Sequence, residues 1–331
     1  MNDAPRALSP RIAGFWRRVA ALLVDSLALG VFGAGLGWIW FAPFAALGSW
    51  GRLIGAAIAV LYFGFSNSRF TGGRTLGKRA LRIRVVDARS RPIGLVRSGL
   101  RALVLVFPVT LNGMSLPGVS SPLGMTAASA CVLGLGGATV YLFVFDRRTR
   151  RSLHDLTAGT FVVGADSAGE IHAQIWRPHL AIVAAWLLLT AAAPAPLAAW
   201  LGRTETVQGL LELQRAIEAE VPGAEIGVFR GKKFATNLGG ERSSTSYLRV
   251  KLAVPSEPAS YEGLAGRVAA AALRVDPSSS KVEELGITIS YGYDILIAHG
   301  HVTRSFSHAP REWEERLGSA SEGGGSGADE R

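Results

Sequence analysis

The chain has 331 residues, of which 49% are hydrophobic, with 35 Lys and Arg against 25 Asp and Glu and a mean hydropathy of +0.27. Its single cysteine, Cys131, excludes an internal disulfide framework and reads as a small hydrophobe inside an apolar run. The formal charge of +10 is divided unevenly: residues 1–202 hold 20 basic and 7 acidic residues, a net of +13, and residues 203–331 hold 15 and 18, a net of −3. The basic excess thus belongs to the apolar half, where Lys and Arg near anionic headgroups gain about 1 kcal/mol each. Nucleic-acid binding, the competing reading of the high pI, is not expected.

Taken in chain order, residues 1–18 form a basic N-terminal segment with Arg6, Arg11, Arg17 and Arg18, and an apolar run follows over 19–40. At 22 residues it would reach about 33 Å as a helix, enough to cross a bilayer. No cleavage pattern follows it, so the run is expected to stay as an anchor. Asp25 lies inside it. A carboxylate taken into hydrocarbon costs on the order of 3 kcal/mol, so such a residue is expected to face a bundle interior or a wet cavity.

Further candidate spans cover 46–66, 94–111, 123–145 and 178–201. The third is the weakest, because Arg97 and Arg101 stand in its first turns and Pro108 and Asn112 interrupt its far end. Loop charge argues that it crosses. Basic residues gather before the first span, between the second and third, and after the fourth as Arg147, Arg148, Arg150 and Arg151, whereas the opposite connections carry none. Five crossings keep every basic loop cytoplasmic and export the part of the chain after residue 201. The fold expected is an α-helical polytopic membrane bundle of about five spans followed by a soluble α+β domain, in a bacterial inner membrane.

Between the second and third spans, Leu81, Ile83 and Val85 alternate with Arg82 and Arg84, which is a strand period. A hairpin over 80–94 is expected at the cytoplasmic surface, with residues 160–163 able to pair with it as a basic platform. Small residues spaced by four in several spans (Gly33 and Gly37; Gly51, Gly55 and Ala59; Ala130, Gly134 and Ala138) either let helices approach closely or reflect ordinary membrane-helix composition. Residues 203–317 read as a helix, two strands, a helix and two strands, an α+β sandwich large enough for its own core. Residues 318–331 are Gly, Ser and acid rich, and disorder is expected there.

Three stretches stand in order: Ala13 to Arg18 leading to Asp25; Gly73-Arg74-Thr75-Leu76-Gly77-Lys78 leading to Asp87; and Ser152-Leu153-His154-Asp155 continuing to Thr160. In order and spacing they resemble the RDD family of bacterial membrane proteins over about residues 10–165. The family is named for one arginine and two aspartates, which map onto Arg18, Asp25 and Asp155. The resemblance implies a multi-pass domain suspected of transport, with cation/proton exchange proposed for some members.

From the residues alone, Arg18 and Asp25 are seven apart and share a helix face, but a direct pair along the helix is disfavoured against Asp25 meeting a group on another helix. Asp25 then either binds and releases a proton or clamps helices together. Asp155 and His154 either relay a proton or cation at the mouth of the bundle, or Asp155 fixes the loop by pairing with Arg147, Arg148, Arg151 or the Arg74 to Lys78 turn. Gly72 to Lys78 matches the first part of a P-loop, but Arg79 stands where Ser or Thr would ligate Mg²⁺ and no buried strand precedes it, so nucleotide binding is rejected. Arg74, Lys78, Arg79, Arg82 and Arg84 are instead assigned to lipid headgroups.

His299 and His301 alternate on a predicted strand, with His308 nearby, but no cysteine or acid accompanies them and a solvated face is expected rather than a zinc site. Tyr291 and Tyr293 alternate likewise and could form an aromatic contact surface. No catalytic constellation, metal site or cofactor is expected, and the chain is read as a non-enzyme. Transport of an ion or small solute through the bundle, with Asp25 protonatable, is one reading. The alternative is a scaffold whose exported residues 203–317 bind an envelope protein. The bilayer itself and a homo-oligomer complete the partners considered.

Overall fold

The apolar runs become helices, and the computed structural model describes residues 10–115, 122–236 and 242–323. One unit comprises Met1–Trp40, Ser49–Ala198 and Asp294–His299, and the other Phe41–Gly48, Ala199–Tyr293 and Gly300–Arg331.

In the first unit the elements are α1 (Phe15–Ile39), α2 (Arg52–Ser66), the short α3 (Leu76–Ala80), β1 (Ile83–Val86), α4 (Leu95–Leu111), α5 (Leu123–Phe145), the short α6 (Leu153–Thr157) and β2 (Phe161–Gly164), with α7 beginning at Arg177. Helix α1 starts four residues before the run predicted from hydropathy, so Arg17 and Arg18 lie in its first turn. Four segments are long and apolar enough to cross a membrane: Phe15–Ile39, Gly48–Ser66, Leu123–Phe145 and Arg177–Leu201. The third predicted span, 94–111, forms the 17-residue α4, shorter than these four and with Arg101 buried in it.

Helix α5 contains a π-helical turn at Ala130–Leu135, and the Leu133 carbonyl within it accepts a 2.9 Å hydrogen bond from Trp186 Nε1 of α7. Gly134 and Gly137 of α5 face Thr190 and Trp186 so closely that a Cβ would lie 2.8 Å from Thr190 Oγ1 or 2.6 Å from Trp186 Nε1. Small spacing on α5 therefore does admit a neighbouring helix. On α1 and α2 the small residues do something else: Gly33 lies under Ile297 and Gly55 under the Ile295 backbone, so the segment Asp294–His299 fills the notch.

Strand β1 does not fold back on itself as a hairpin. It pairs antiparallel with β2, from Ile83 opposite Gly164 to Val86 opposite Phe161. The turn-forming residues after it close a local loop, with Asp87 N–H bonded to the Arg91 carbonyl and Asp87 Oδ1 accepting from Arg89 and Arg91 N–H. The Ala13 N–H adds to the ribbon through the Val162 carbonyl at 2.9 Å. Ile83, Val85, Val86, Phe161, Val162 and Val163 are all buried, so the ribbon is an apolar floor with Arg84 turned aside to the Ser167 carbonyl.

The second unit carries α8 (Glu205–Glu220), β3 (Glu225–Thr236), β4 (Arg242–Val254), α9 (Tyr261–Val275), β5 (Glu284–Asp294), β6 (His299–His308) and α10 (Pro310–Gly323). The sheet order is β3-β4-β5-β6, with β3 antiparallel and β5 parallel to β4. Alternate residues Leu248, Val250 and Leu252 of β4 and Leu285, Ile287 and Ile289 of β5 form one buried face under Leu213 and Ile217 of α8, Val268 and Ala269 of α9, and Trp313 of α10.

Two expectations fail in this unit. Tyr291 and Tyr293 are buried against Phe41, not displayed as a contact surface, because their strand face is the one turned to the core. Gly318 to Gly323 continue α10, where composition suggested disorder; residues 324–331 lie outside the described residues. His299 and His301 are exposed on β6, and no group of three metal-ligating side chains occurs among the described residues.

Candidate functional site

Both acidic residues singled out in the first unit are buried, Asp25 at 1% exposure and Asp155 at 0%, and each is served by a different set of partners. Asp25 sits in the middle of α1, whose neighbour α3 approaches so closely that a Cβ on Gly77 would meet the Ala21 carbonyl oxygen at 2.0 Å. Only a residue without a side chain permits this contact. It brings the Gly77 N–H to Asp25 Oδ1 at 2.8 Å and the Thr75 hydroxyl to Oδ2 at 2.6 Å. Thr75 is also the N-cap of α3, accepting from the Lys78 N–H. Tyr62 of α2 donates its hydroxyl to Oδ1 at 2.7 Å and accepts from the Leu76 N–H. Asp25 thus accepts from two other elements at once, and all its hydrogen-bond partners are donors.

Asp155 lies at the N-terminus of α6, where Ser152 and Asp155 form a reciprocal capping box. Its Oδ2 accepts from Arg18 Nη2 at 2.6 Å, and its Oδ1 from Arg101 Nε and Nη2 at 3.0 and 2.8 Å, with Thr160 Oγ1 at 3.2 Å. The cluster joins α1, α4 and α6. Burial pushes the Asp155 carboxyl up, but the Arg101 and Arg18 guanidiniums outweigh burial and hold it well below the usual carboxylate range.

The partners of Asp155 differ from those expected. Arg151 reaches only its backbone carbonyl, at 3.2 Å, and the charge is met by Arg18 and Arg101. Arg18 therefore pairs with the second aspartate and not with Asp25, since two turns along one helix separate it from Asp25 while α6 presents Asp155 directly. His154 is buried beside the same carboxylate, 3.7 Å from Oδ2. Burial, reinforced by Arg101, Arg18 and Lys78, lowers its pKa to about 3 despite Asp155, so it is neutral at ordinary pH.

Of the five basic residues assigned to headgroups, Lys78 is placed differently: it is 9% exposed and turned inward, because Gly77 presses α3 against α1. Arg79 and Arg82 are exposed, and Arg74 and Arg84 are half-buried. Lys78 Nζ lies 6.0 Å from the Phe63 ring centroid, and no hydrogen-bond acceptor among the described residues reaches it. Burial, with Arg101 and Arg18, brings its pKa down to about 7 against the opposing pull of Asp25 and Asp155.

Between the two carboxylate clusters lies a cavity of about 60 Å³ lined by Arg18, Asp25, Phe63, Lys78, Arg101 and His154 among others. It has room for a few water molecules. Arg101, Tyr62, Thr75 and Gly77 were not singled out from sequence. A readable signal existed for Arg101, a cation inside an apolar helix that needs a buried counter-charge, and for Tyr62, a hydroxyl in an otherwise apolar run.

No curated protein and no solved structure matches the chain. The model of the RDD family matches residues 12–159, the stretch that carries Arg18, Asp25, Lys78, Arg101 and Asp155, and this region of the chain is an RDD-family domain.

Proposed function

We propose that the RDD domain binds a small ion in the cavity between Asp25 and Asp155 and passes it across a membrane, coupled to proton movement. The observation that carries this reading is the cavity itself, set among apolar helices yet lined by five polar or ionisable side chains. Groups of this kind are expensive inside a membrane and cluster where ions or protons bind. Packing alone does not call for a Lys78 ammonium facing a cavity without an acceptor.

The basic loops favour a cytoplasmic N-terminus, and a crossing by α4 would export the second unit. Its 17 residues span about 25 Å as a helix, within the range for a short or locally thinned crossing. Reconstitution into vesicles with an imposed ion gradient and an internal pH dye is the test. Protein-dependent proton flux driven by at least one of sodium, potassium or chloride is expected. Flux no greater than that of empty vesicles with all three ions overturns transport.

A scaffold role is favoured by one specific observation in the second unit. Phe229 and Phe234 are 51% and 80% exposed, and Lys251 stacks on the Phe229 ring at 5.4 Å, leaving aromatic and basic groups open on β3 and β4. Replacing Phe229 and Phe234 by Ser should abolish capture of an envelope protein in cross-linking while leaving ion flux unchanged. Unaltered capture removes this reading.

A further inference from the structure

The cavity of the first unit is unbalanced in a way that identifies the sign of its ion. Its acceptors are already used: Asp25 takes three donors, and Asp155 takes Arg18, Arg101 and Thr160. Its donors are in surplus. Arg18 spends only Nη2 on Asp155, and Arg101 only Nε and Nη2. Their remaining guanidinium N–H groups and the Lys78 ammonium have no acceptor among the described residues. All three side chains are more than nine-tenths buried and line the cavity.

Charge points the same way. With Lys78 protonated, the lining residues Arg18, Arg101 and Lys78 stand against Asp25 in the lining and Asp155 paired behind it, one positive charge in excess, and His154 adds none. With Lys78 neutral the cluster balances. A buried net charge is costly unless it is paired, so the protonated state calls for one negative charge beside Lys78.

We propose that the cavity binds one small monovalent anion of about the size of chloride, and that it does so together with a proton on Lys78. The groups around Lys78 are Arg18 and Asp25 from α1, Phe63 from α2, Arg101 from α4, and His154 and Asp155 from α6. Neither carboxylate forms an ion pair with Lys78, and their two negative charges are already counted against Arg18 and Arg101. The bound anion would accept from Lys78 Nζ and from the unused N–H groups of Arg18 and Arg101, a charge-assisted arrangement. The proposal deepens the transport reading by naming the ion class and the proton-binding group, and it moves the proton from Asp25 to Lys78.

The test is equilibrium binding of radiolabelled chloride to the purified full-length protein in detergent, from pH 6 to pH 9, with gluconate as the balancing anion. One saturable site is expected, with affinity flat below the pKa of Lys78 near 7 and falling about tenfold per pH unit above it. Proton uptake, read with a pH dye in weak buffer, should approach one per chloride at pH 8.5. Lys78→Met, unbranched, one heavy atom shorter and free of charge, should lose binding at every pH while melting no lower than the wild type. Lys78→Arg should bind without pH dependence up to pH 9.

Absence of saturable chloride binding by the folded wild type overturns the anion site, and it indicates that the cavity holds water alone. Binding that does not change with pH, or that survives in Lys78→Met, overturns the proton link. The wild-type titration stands even if a variant misfolds. Because no membrane crossing is measured, chloride binding without vesicle flux would retain this inference and remove transport. Sodium-driven flux without chloride binding would do the reverse.

Discussion

The two units differ in what they bury beside their apolar clusters. In the second, the core is Leu, Ile, Val and Ala beneath helices, and Ser279 is the polar side chain counted as buried among its described residues. In the first, the buried set includes Arg18, Asp25, Lys78, Arg101, His154 and Asp155, while Leu23, Leu27, Val31, Phe32, Leu61 and Val140 are exposed. Water drives apolar groups inward in the one case. In the other, an outer surface that apolar solvent would cover leaves hydrogen bonds and charge pairs to hold the interior. The lesson concerns specificity: the second unit is held by area that many sequences could supply, whereas the first adds to its apolar clusters a few directed contacts to two carboxylates.

The strongest way to break this contrast is Asp155→Ala. It would leave Arg18 and Arg101 buried without their counter-charge, and a loss of about 3–5 kcal/mol is expected in the first unit. Hydrogen exchange on the purified protein should show it, with the amides of β4 and β5 keeping wild-type protection. Equal protection in both units would mean that the ion cluster holds nothing together.

The complementary change is Leu285→Ala in the fully buried face of β5, with an expected cost of about 2–4 kcal/mol from lost burial and a residual cavity. Exchange should then rise in the second unit while chloride binding and the Asp25 cluster stay unaltered. A smaller effect is expected from Tyr62→Phe. It removes one of three donors to Asp25 and leaves the other two, at a cost of about 1.5 kcal/mol, readable as a lower melting temperature in detergent. No change on melting would demote Tyr62 to a packing residue.

The last signal is a pH slope. Lys78 has its folded pKa lowered from 10.5 to about 7, so between those values the unfolded chain binds more protons than the folded one. Stability of the first unit should therefore rise with pH from about 7 towards 10.5 in chloride-free buffer, and Lys78→Met should flatten that part of the curve. A slope that persists in the variant would assign it to another group. Chloride should reduce the slope, because an anion that favours protonated Lys78 narrows the gap between the two pKa values.

Much of this is legible in the sequence alone. Long apolar runs set the helices because helix length against bilayer thickness is a one-dimensional property, and the alternation of Ile83 and Val85 with Arg82 and Arg84 marked a strand. The succession of helices and strands in the second unit up to β6 followed from period and turn composition in the same way, whereas the sheet order and the parallel pairing of β4 with β5 did not. The sequence also pointed to residues 160–163 as able to pair with the 80–94 segment, and β1 does pair with β2, about 80 positions away. What the runs did not reveal was whom each charge would meet: Arg18 reaches Asp155 across 137 positions. Hydropathy assigns Lys78 to the surface with its basic neighbours, and it is Gly77 against Ala21 that turns it inward.

By itself, then, the sequence determined that this protein has several helices apolar enough for a membrane, that acids lie within or beside them, and that a separate α+β unit follows. Those properties depend on residue type and local spacing. Tertiary structure alone decided that Asp25 is held by Tyr62, Thr75 and Gly77, that Asp155 gathers Arg18 and Arg101, and that Lys78 faces the space between them. Hydrogen bonds and charge pairs act over a few ångströms, so which groups share a buried cavity is fixed only when distant segments are packed together.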